Sequence, residues 1–377
     1  MGDLPAPGKY RYLLEGEQEQ FWHDHFNWLK ECGYLLRPRY HPDWVPTWIK
    51  DPKKKAMRCE DYQMSESHKV IDATRISDGS FVTLKPLDTT VHPDEIPIGV
   101  WFSQEPQASS PSNHCVPILD VLDIPDIPNK RIIVMPFLSS YDKPRFDTFG
   151  EAIEFFRQIF QGLQYMHKNN VAHRDCNALN IMMDAKPLYP VPYHPTQQKR
   201  RRDWKGLLPV SYLTRTQKPV KYYLIDFGLS RKYPPGVRAP LEPIILGGDK
   251  SVPEFRAKPG EELPLECDPF PTDVYYIGNV LRTDFVEGSQ FVKRKLGFEF
   301  LRPLMADMIQ PDPALRPTMD EVVERFDAIV RGLSRRKLRS RVAKVDDSLD
   351  YIYAVRHWFR KIGLIVRRYP PIPSPSH

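Results

Sequence analysis

The stretch VAHRDCNALNIMMD, residues 171–184, decides how this chain is read, because it follows a long amphipathic segment and sets Asp175 and Asn180 five positions apart. Further along, YYLIDFGLS at 222–230 ends a β-rich run on Asp226 and follows it with Phe227 and Gly228. A metal-binding carboxylate at a strand end needs a turn of that kind. Taken singly, Asp175 and Asn180 would be an Asx turn and a helix cap. The two segments in this order are a far more specific signal than either alone.

Upstream of the first stretch, EAIEFFRQIFQGLQYMHK (151–168) places Ile153, Phe156, Ile159, Phe160, Leu163 and Met166 on one face and predicts a helix. The runs KVIDATRI and SDGSFVTLKPL, joined through Asp78-Gly79, predict a hairpin in a small antiparallel sheet, and RIIVMPFL predicts a further strand. After residue 270, TDVYYIGNVL, FEFLRPLMADMIQ and TMDEVVERFDAIVRGL read as helices, the last starting at Pro317-Thr318 before an acidic turn. Strands come first and helices later. The class is therefore α+β, a small antiparallel sheet lobe followed by a larger, mainly helical one.

Three segments lie outside this pattern. Residues 1–67 read as an N-terminal extension, with one helix over EQEQFWHDHFNWLKECG and then a proline-broken extended arm. Residues 185–221, rich in proline and containing QQKRRRDWK, are too long for a tight connection and are expected to be an exposed insertion in a domain spanning 68–330. Residues 331–377 form a basic tail, with twelve Lys/Arg against three Asp. Such a tail reads first as a solvated helix face, with acidic partners, nucleic acid or a membrane surface as the other options.

The composition of the 377 residues, 41% apolar with a net charge of +6, fits one large two-lobed core or two ordinary domains. Five scattered cysteines form no Cys-x-x-Cys pair, which excludes a disulfide frame or zinc site and fits a reducing compartment. MGDLPAPGKY has no apolar signal-peptide core, and no run approaches the roughly 20 residues of a membrane span. The expected location is cytoplasmic or nuclear, with no membrane and no nucleic-acid partner.

VAHRDCNALN and YYLIDFGLS together resemble the catalytic loop and the D-F-G element of eukaryotic protein kinases, and NHCVP with VAHRDCNALN is similar to divergent fungal kinase-like proteins. The resemblance covers about residues 68–330 and implies a bilobal protein-kinase-like fold that uses ATP and Mg2+. It makes Asp175 the residue that accepts or orients a substrate hydroxyl proton, and Asn180 and Asp226 the magnesium ligands. His173 and Arg174 become structural, with Arg174 a candidate phosphate partner. Lys85, in GSFVTLKPL, becomes the contact to the α and β phosphates, and Glu95 stands in for its acidic partner, because Pro97 occupies the nearest fit. Met135 takes the gatekeeper position and Leu138 offers backbone to adenine. SVPEF puts Glu254 where it would pair with Arg316, and Asp273 in DVYYIGNVL would hold the catalytic-loop backbone.

Two departures cut against full activity. The stretch YQMSESHKVIDATRI before Lys85 contains no glycine, so backbone cannot approach phosphates closely there. Asn177 stands where serine/threonine kinases carry a lysine that stabilises the transferring phosphoryl group. Between Gly228 and Glu254 the hydroxyl-bearing residues are Ser230, Tyr233 and Ser251, which gives no support to control by activation-loop phosphorylation. The expected function is phosphoryl transfer from ATP to a protein hydroxyl, Ser/Thr before Tyr. The alternative is a pseudokinase scaffold or nucleotide-binding docking protein. A small-molecule phosphotransferase is disfavoured by the Val252-Pro253-Glu254 and Arg316 combination.

Overall fold

Gly79 sits at φ +69°, a conformation that lets the chain reverse tightly between two alternating runs. In the computed structural model this turn joins β2 (Ile71–Arg75) to β3 (Phe81–Asp88), with Ile71 opposite Leu84. The structure describes residues 10–375 apart from 15, 66, 68, 207, 238, 246–250 and 257–265, so His68, the expected start of the domain, lies outside the described residues. The chain divides into two units. One comprises Met1–Val91, Ile118–Leu138 and Tyr189–Tyr212, the other His92–Pro117, Ser139–Leu188 and Leu213–His377.

The first unit is built on a five-stranded antiparallel sheet in the order β1-β2-β3-β5-β4, where β1 is Tyr34–Leu36, β4 Asp120–Asp123 and β5 Lys130–Pro136. Because strand side chains alternate, Val82 and Leu84 of β3 share a face with Ile132 and Val134 of β5. That face is covered by Trp22, Phe26 and Leu29 from two short helices, α1 (Gly16–Asp24) and α2 (Phe26–Glu31). The single helix expected here is divided at His25, whose ring Nδ1 lies 2.7 Å from the Phe21 carbonyl that its own backbone N–H also uses. The following arm carries a short helix, α3 (Thr47–Lys50).

Much of 189–212 is exposed, Leu208 at 83%, but several of its residues are held against the sheet unit. Arg202 pairs with Asp72 and lies 4.2 Å from the Phe81 ring centroid, while Asp72 also meets Arg37 at 3.2 Å. His194 is fully buried with its Nε2 3.1 Å from Glu60. In the remainder of that stretch, in the second unit, Arg215 is 2% accessible and lies over the Phe146 ring.

The second unit begins with α4 (Glu95–Ser103) and is organised around α5 (Phe149–Lys168), capped by the Thr148 hydroxyl accepting from the Glu151 N–H. The predicted face of α5 is buried, and so are Phe149, Ala152 and Phe155 on its other sides. Around it lie α6 (Pro269–Leu281), α7 (Arg302–Met308) and α8 (Met319–Arg331), the last starting with a capping box between Thr318 and Glu321. A short helix, α9 (Arg335–Leu338), and a long one of 17 residues, α10 (Asp350–Val366), complete it. Its strands are short: β6 (Ser139–Ser140), β7 (Val171–Ala172), β8 (Ile181–Met183), β9 (Tyr222–Leu224), β10 (Arg231–Lys232), β11 (Glu242–Pro243) and β12 (Glu266–Cys267). No helix among the described residues is long and apolar enough to cross a membrane.

Asp72 is the shared counter-charge of two buried arginines. Arg37 keeps Glu60 at 3.2 Å, so Asp72→Asn chiefly leaves Arg202 without its ion-pair partner and is expected to destabilise the protein by about 3 kcal/mol. Urea unfolding followed by fluorescence measures this, and an unshifted midpoint would show the pairing to be energetically idle.

Candidate active site

Pairing of β8 with β9 sets Ile181 opposite Leu224, and the Ile225 N–H donates to the Asn180 carbonyl at 3.0 Å. Asn180 and Asp226 therefore lie at the same end of the paired strands β8 and β9 in a three-stranded sheet. The register alone brings together residues far apart in the chain.

Asp175 is positioned from the other side. Asp273, fully buried on α6, accepts the backbone N–H of His173 at 2.7 Å and of Arg174 at 2.6 Å, and lies 3.0 Å from His167 Nε2. These bonds hold Arg174 at φ +67°, and Asp226 adopts φ +65°. Left-handed backbone in a non-glycine residue costs roughly 1–2 kcal/mol and persists only where its surroundings dictate it. Both left-handed residues flank the same group of oxygens.

The Asp175 carboxylate accepts from two side-chain amides, Asn177 Nδ2 at 2.7 Å and Asn180 Nδ2 at 2.8 Å. Burial pushes its pKa above the ordinary aspartate value near 3.8, and the charge of Asp226 adds to that, against the opposing pull of His173, Asn177 and Asn180. With the Asn180 amide nitrogen turned to Asp175, its Oδ1 is the atom left to serve a cation. One amide oxygen and nearby carboxylates are hard donors that suit magnesium, with phosphate and water completing the shell. Among the described residues, no cluster of three or more His, Cys, Asp or Glu side chains forms an all-protein metal cage.

Gly228 is required by space. A Cβ there would meet His92 Nδ1 at 3.0 Å, Glu95 Oε2 at 3.1 Å and Asp226 Oδ1 at 3.2 Å. His92 Nδ1 also lies 3.0 Å from the Gly228 carbonyl, and Asp94 pairs with Arg231 at 2.9 Å, so the start of α4 is fastened to the segment after Asp226. Glu95 is buried at the first position of that helix, and Pro97 falls in its first turn, where a missing N–H is harmless. Phe227 lies between Phe102 and His173, its ring tilted to both, at centroid distances of 6.3 and 5.7 Å.

Arg316 binds Glu254 through two bonds of 2.8 and 2.6 Å and donates to the Gln310 and Pro271 carbonyls, as SVPEF and DPALRP suggested. Arg174, the candidate phosphate partner, donates to the Pro243 carbonyl at 2.7 Å and faces the Glu242 carboxylate at 3.5 Å. Glu242 also accepts from the Tyr233 hydroxyl at 3.0 Å. A depression of about 520 Å³ opens beside Asp175, lined also by Asn177, Leu179, Tyr276, Asn279 and Thr283.

Lys85, Met135 and Leu138 belong to the sheet unit. Lys85 pairs with Ile133 and Thr83 with Met135, so Lys85 and Met135 share the sheet face opposite the aromatic core. Leu138, just beyond β5, is buried. The contacts of Asn177, His92 and Glu242 were not foreseen. Asn177 had a signal, since it follows Asp175 by two residues, whereas His92 and Glu242 had none.

A family model described as "Protein kinase domain" matches residues 66–242. The chain is similar to NUAK family SNF1-like kinase 2 of Rattus norvegicus, 30% identical over 122 residues, or 30% of this chain and 19% of that protein. It is similar also to NUAK family SNF1-like kinase 1 of Mus musculus, 32% identical over 122 residues, 31% of this chain and 18% of that protein. The match thus spans about a fifth of the length of these curated relatives.

Replacing Asp273 by Asn puts an amide against backbone donors and removes the charge from two charge-assisted bonds. The expected loss is about 3 kcal/mol in chemical denaturation. A stability equal to the parent's would remove Asp273 as the anchor of the loop.

Proposed function

Because residues 66–242 carry a protein kinase domain, which places the chain in the eukaryotic protein kinase superfamily, we propose that it transfers the γ-phosphoryl group of ATP to a protein hydroxyl, serine or threonine before tyrosine. The observation that carries this reading is the Asp175 carboxylate held by Asn177 and Asn180 beside Asp226. The substrate hydroxyl oxygen bonds to the γ-phosphorus as the bond to the β-γ bridging oxygen breaks, and the hydroxyl proton passes to Asp175. Asn180 Oδ1 and Asp226 would hold magnesium, which supplies charge neutralisation at the phosphates. Lys85 is assigned to the α and β phosphates, Met135 to the gatekeeper position and Leu138 to adenine. The two named kinases to which the chain is similar support the same class of reaction.

A second reading, a nucleotide-binding scaffold, is favoured by one specific observation. Asn177 spends its amide on Asp175 and its carbonyl on the Leu179 N–H, and supplies no positive charge to a transferring phosphoryl group. Magnesium-dependent ATP binding without transfer would select it.

In Asp175→Asn, phosphate transfer to a generic protein acceptor should fall by roughly 10²–10⁴-fold, while ATP still raises the melting temperature in the presence of magnesium. Asp226→Asn and Lys85→Met should lose that thermal shift. Transfer by Asp175→Asn at the parent rate would reject the role of Asp175.

The pH profile gives an independent test. Protonated Asp175 cannot take the hydroxyl proton, so kcat/KM should fall as the pH drops through a value above 3.8. The Asn177 bond favours the charged form; Asn177→Ala removes it and should move this acid limb to higher pH. A limb that stays put or moves downward contradicts the assignment.

A further inference from the structure

The basic tail is not a uniformly solvated face. In α10 the outward side carries Tyr351, Ile352, Val355, Trp358, Phe359, Ile362, Ile365 and Val366, each 40–81% exposed. At the α-helical repeat these eight occupy one sector of roughly 140°. Arg356 and Arg367 border it on one side and Lys361 on the other. The opposite side is committed to the body of the unit: His357 and Leu364 are buried, His357 lies 3.4 Å and Arg360 3.6 Å from Asp147, and Arg145 sits 4.0 Å over the Tyr353 ring. Arg339 bonds the Tyr369 carbonyl and Arg341 bonds Asp350, fixing both ends.

We propose that the outer face of α10 docks the protein on an anionic lipid surface, the apolar sector entering the headgroup boundary and the flanking Arg356, Lys361 and Arg367 meeting lipid phosphates. Three features select this occupant. The helix is held along its inner side, so a partner groove cannot wrap it, and a planar partner suits the sector on offer. Its large aromatics beside arginine and lysine are the composition of in-plane interfacial helices. The border is cationic on both sides, so a two-fold pairing with a second copy would set like charges against each other. This surface contact is separate from spanning, and the absence of a membrane partner was expected from spanning alone. The inference is independent of the proposed phosphoryl transfer.

The test is co-sedimentation of the full 377-residue chain with phosphatidylcholine vesicles and with phosphatidylcholine–phosphatidylserine vesicles of roughly 7:3 composition. Binding to the anionic vesicles should exceed binding to neutral ones by at least about tenfold, corresponding to several basic side chains near the surface, and should weaken in high salt. The double variant Trp358→Glu, Phe359→Glu should lose it, and Arg356→Glu, Arg367→Glu should reduce it by more than about tenfold. An unchanged melting temperature shows that each variant is folded, since all four side chains are exposed. A chain that stays in the supernatant, that binds neutral vesicles equally, or that sediments as a dimer dispersed by Trp358→Glu, overturns the proposal. So does binding carried instead by an acidic protein surface while vesicles are ignored.

Discussion

The helical unit depends on one buried carboxylate. Asp273 has no solvent exposure and accepts the N–H groups of His173 and Arg174, so the charge of one side chain is satisfied by the backbone of a distant loop. An uncompensated ion in that position would be strongly unfavourable, which makes the loop conformation and the fold of α6 a single proposition. Arg174 is thereby fixed in a left-handed conformation, and Asp175 follows it in sequence. The same arginine then reaches Pro243 and Glu242, and Ser230 Oγ bonds the His173 carbonyl. One anchor thus orders both the loop that carries Asp175 and the chain that follows Asp226.

Those residues could be singled out in the sequence because the two segments that carry them fix residue type, order and spacing more tightly than packing does. Asp175, Asn180 and Asp226 needed only their types, order and spacing, and the β8–β9 register does the rest. Glu254 and Arg316 were legible for a similar reason: a bidentate pair needs a guanidinium and a carboxylate and tolerates little else. Within 189–212, the place of Arg202 was not legible in the sequence, because a charged residue reads first as solvated. Arg202 has an apolar stem and a flat guanidinium that lies on Phe81 while pairing with Asp72, and composition cannot distinguish this from a solvated arginine. The division of the first helix at His25 was hidden similarly, since an unbroken aromatic pattern does not report a ring nitrogen competing for a carbonyl.

Glu242 alters the reading of Arg174. Arg174 was a candidate receptor for a phosphate, but a carboxylate already stands 3.5 Å from it, and the Tyr233 hydroxyl is bound to the same carboxylate. The segment around Pro243 is therefore ordered by groups encoded in the chain. This agrees with the scarcity of hydroxyl residues between Gly228 and Glu254.

Asn177 bears most directly on how catalysis could proceed here. A lysine at that position would offer charge to the phosphoryl group, whereas the amide bonds Asp175 and caps the turn through the Leu179 N–H. Together with Asn180 it gives the Asp175 carboxylate two neutral donors, one on each oxygen. These bonds favour the ionised carboxylate and fix its orientation, in a position where burial and Asp226 push toward protonation. Arg174, the nearest cation in the loop sequence, is matched to Glu242. The loop thus invests in positioning the Asp175 carboxylate, and Asn177 brings it hydrogen bonds without bringing a positive charge.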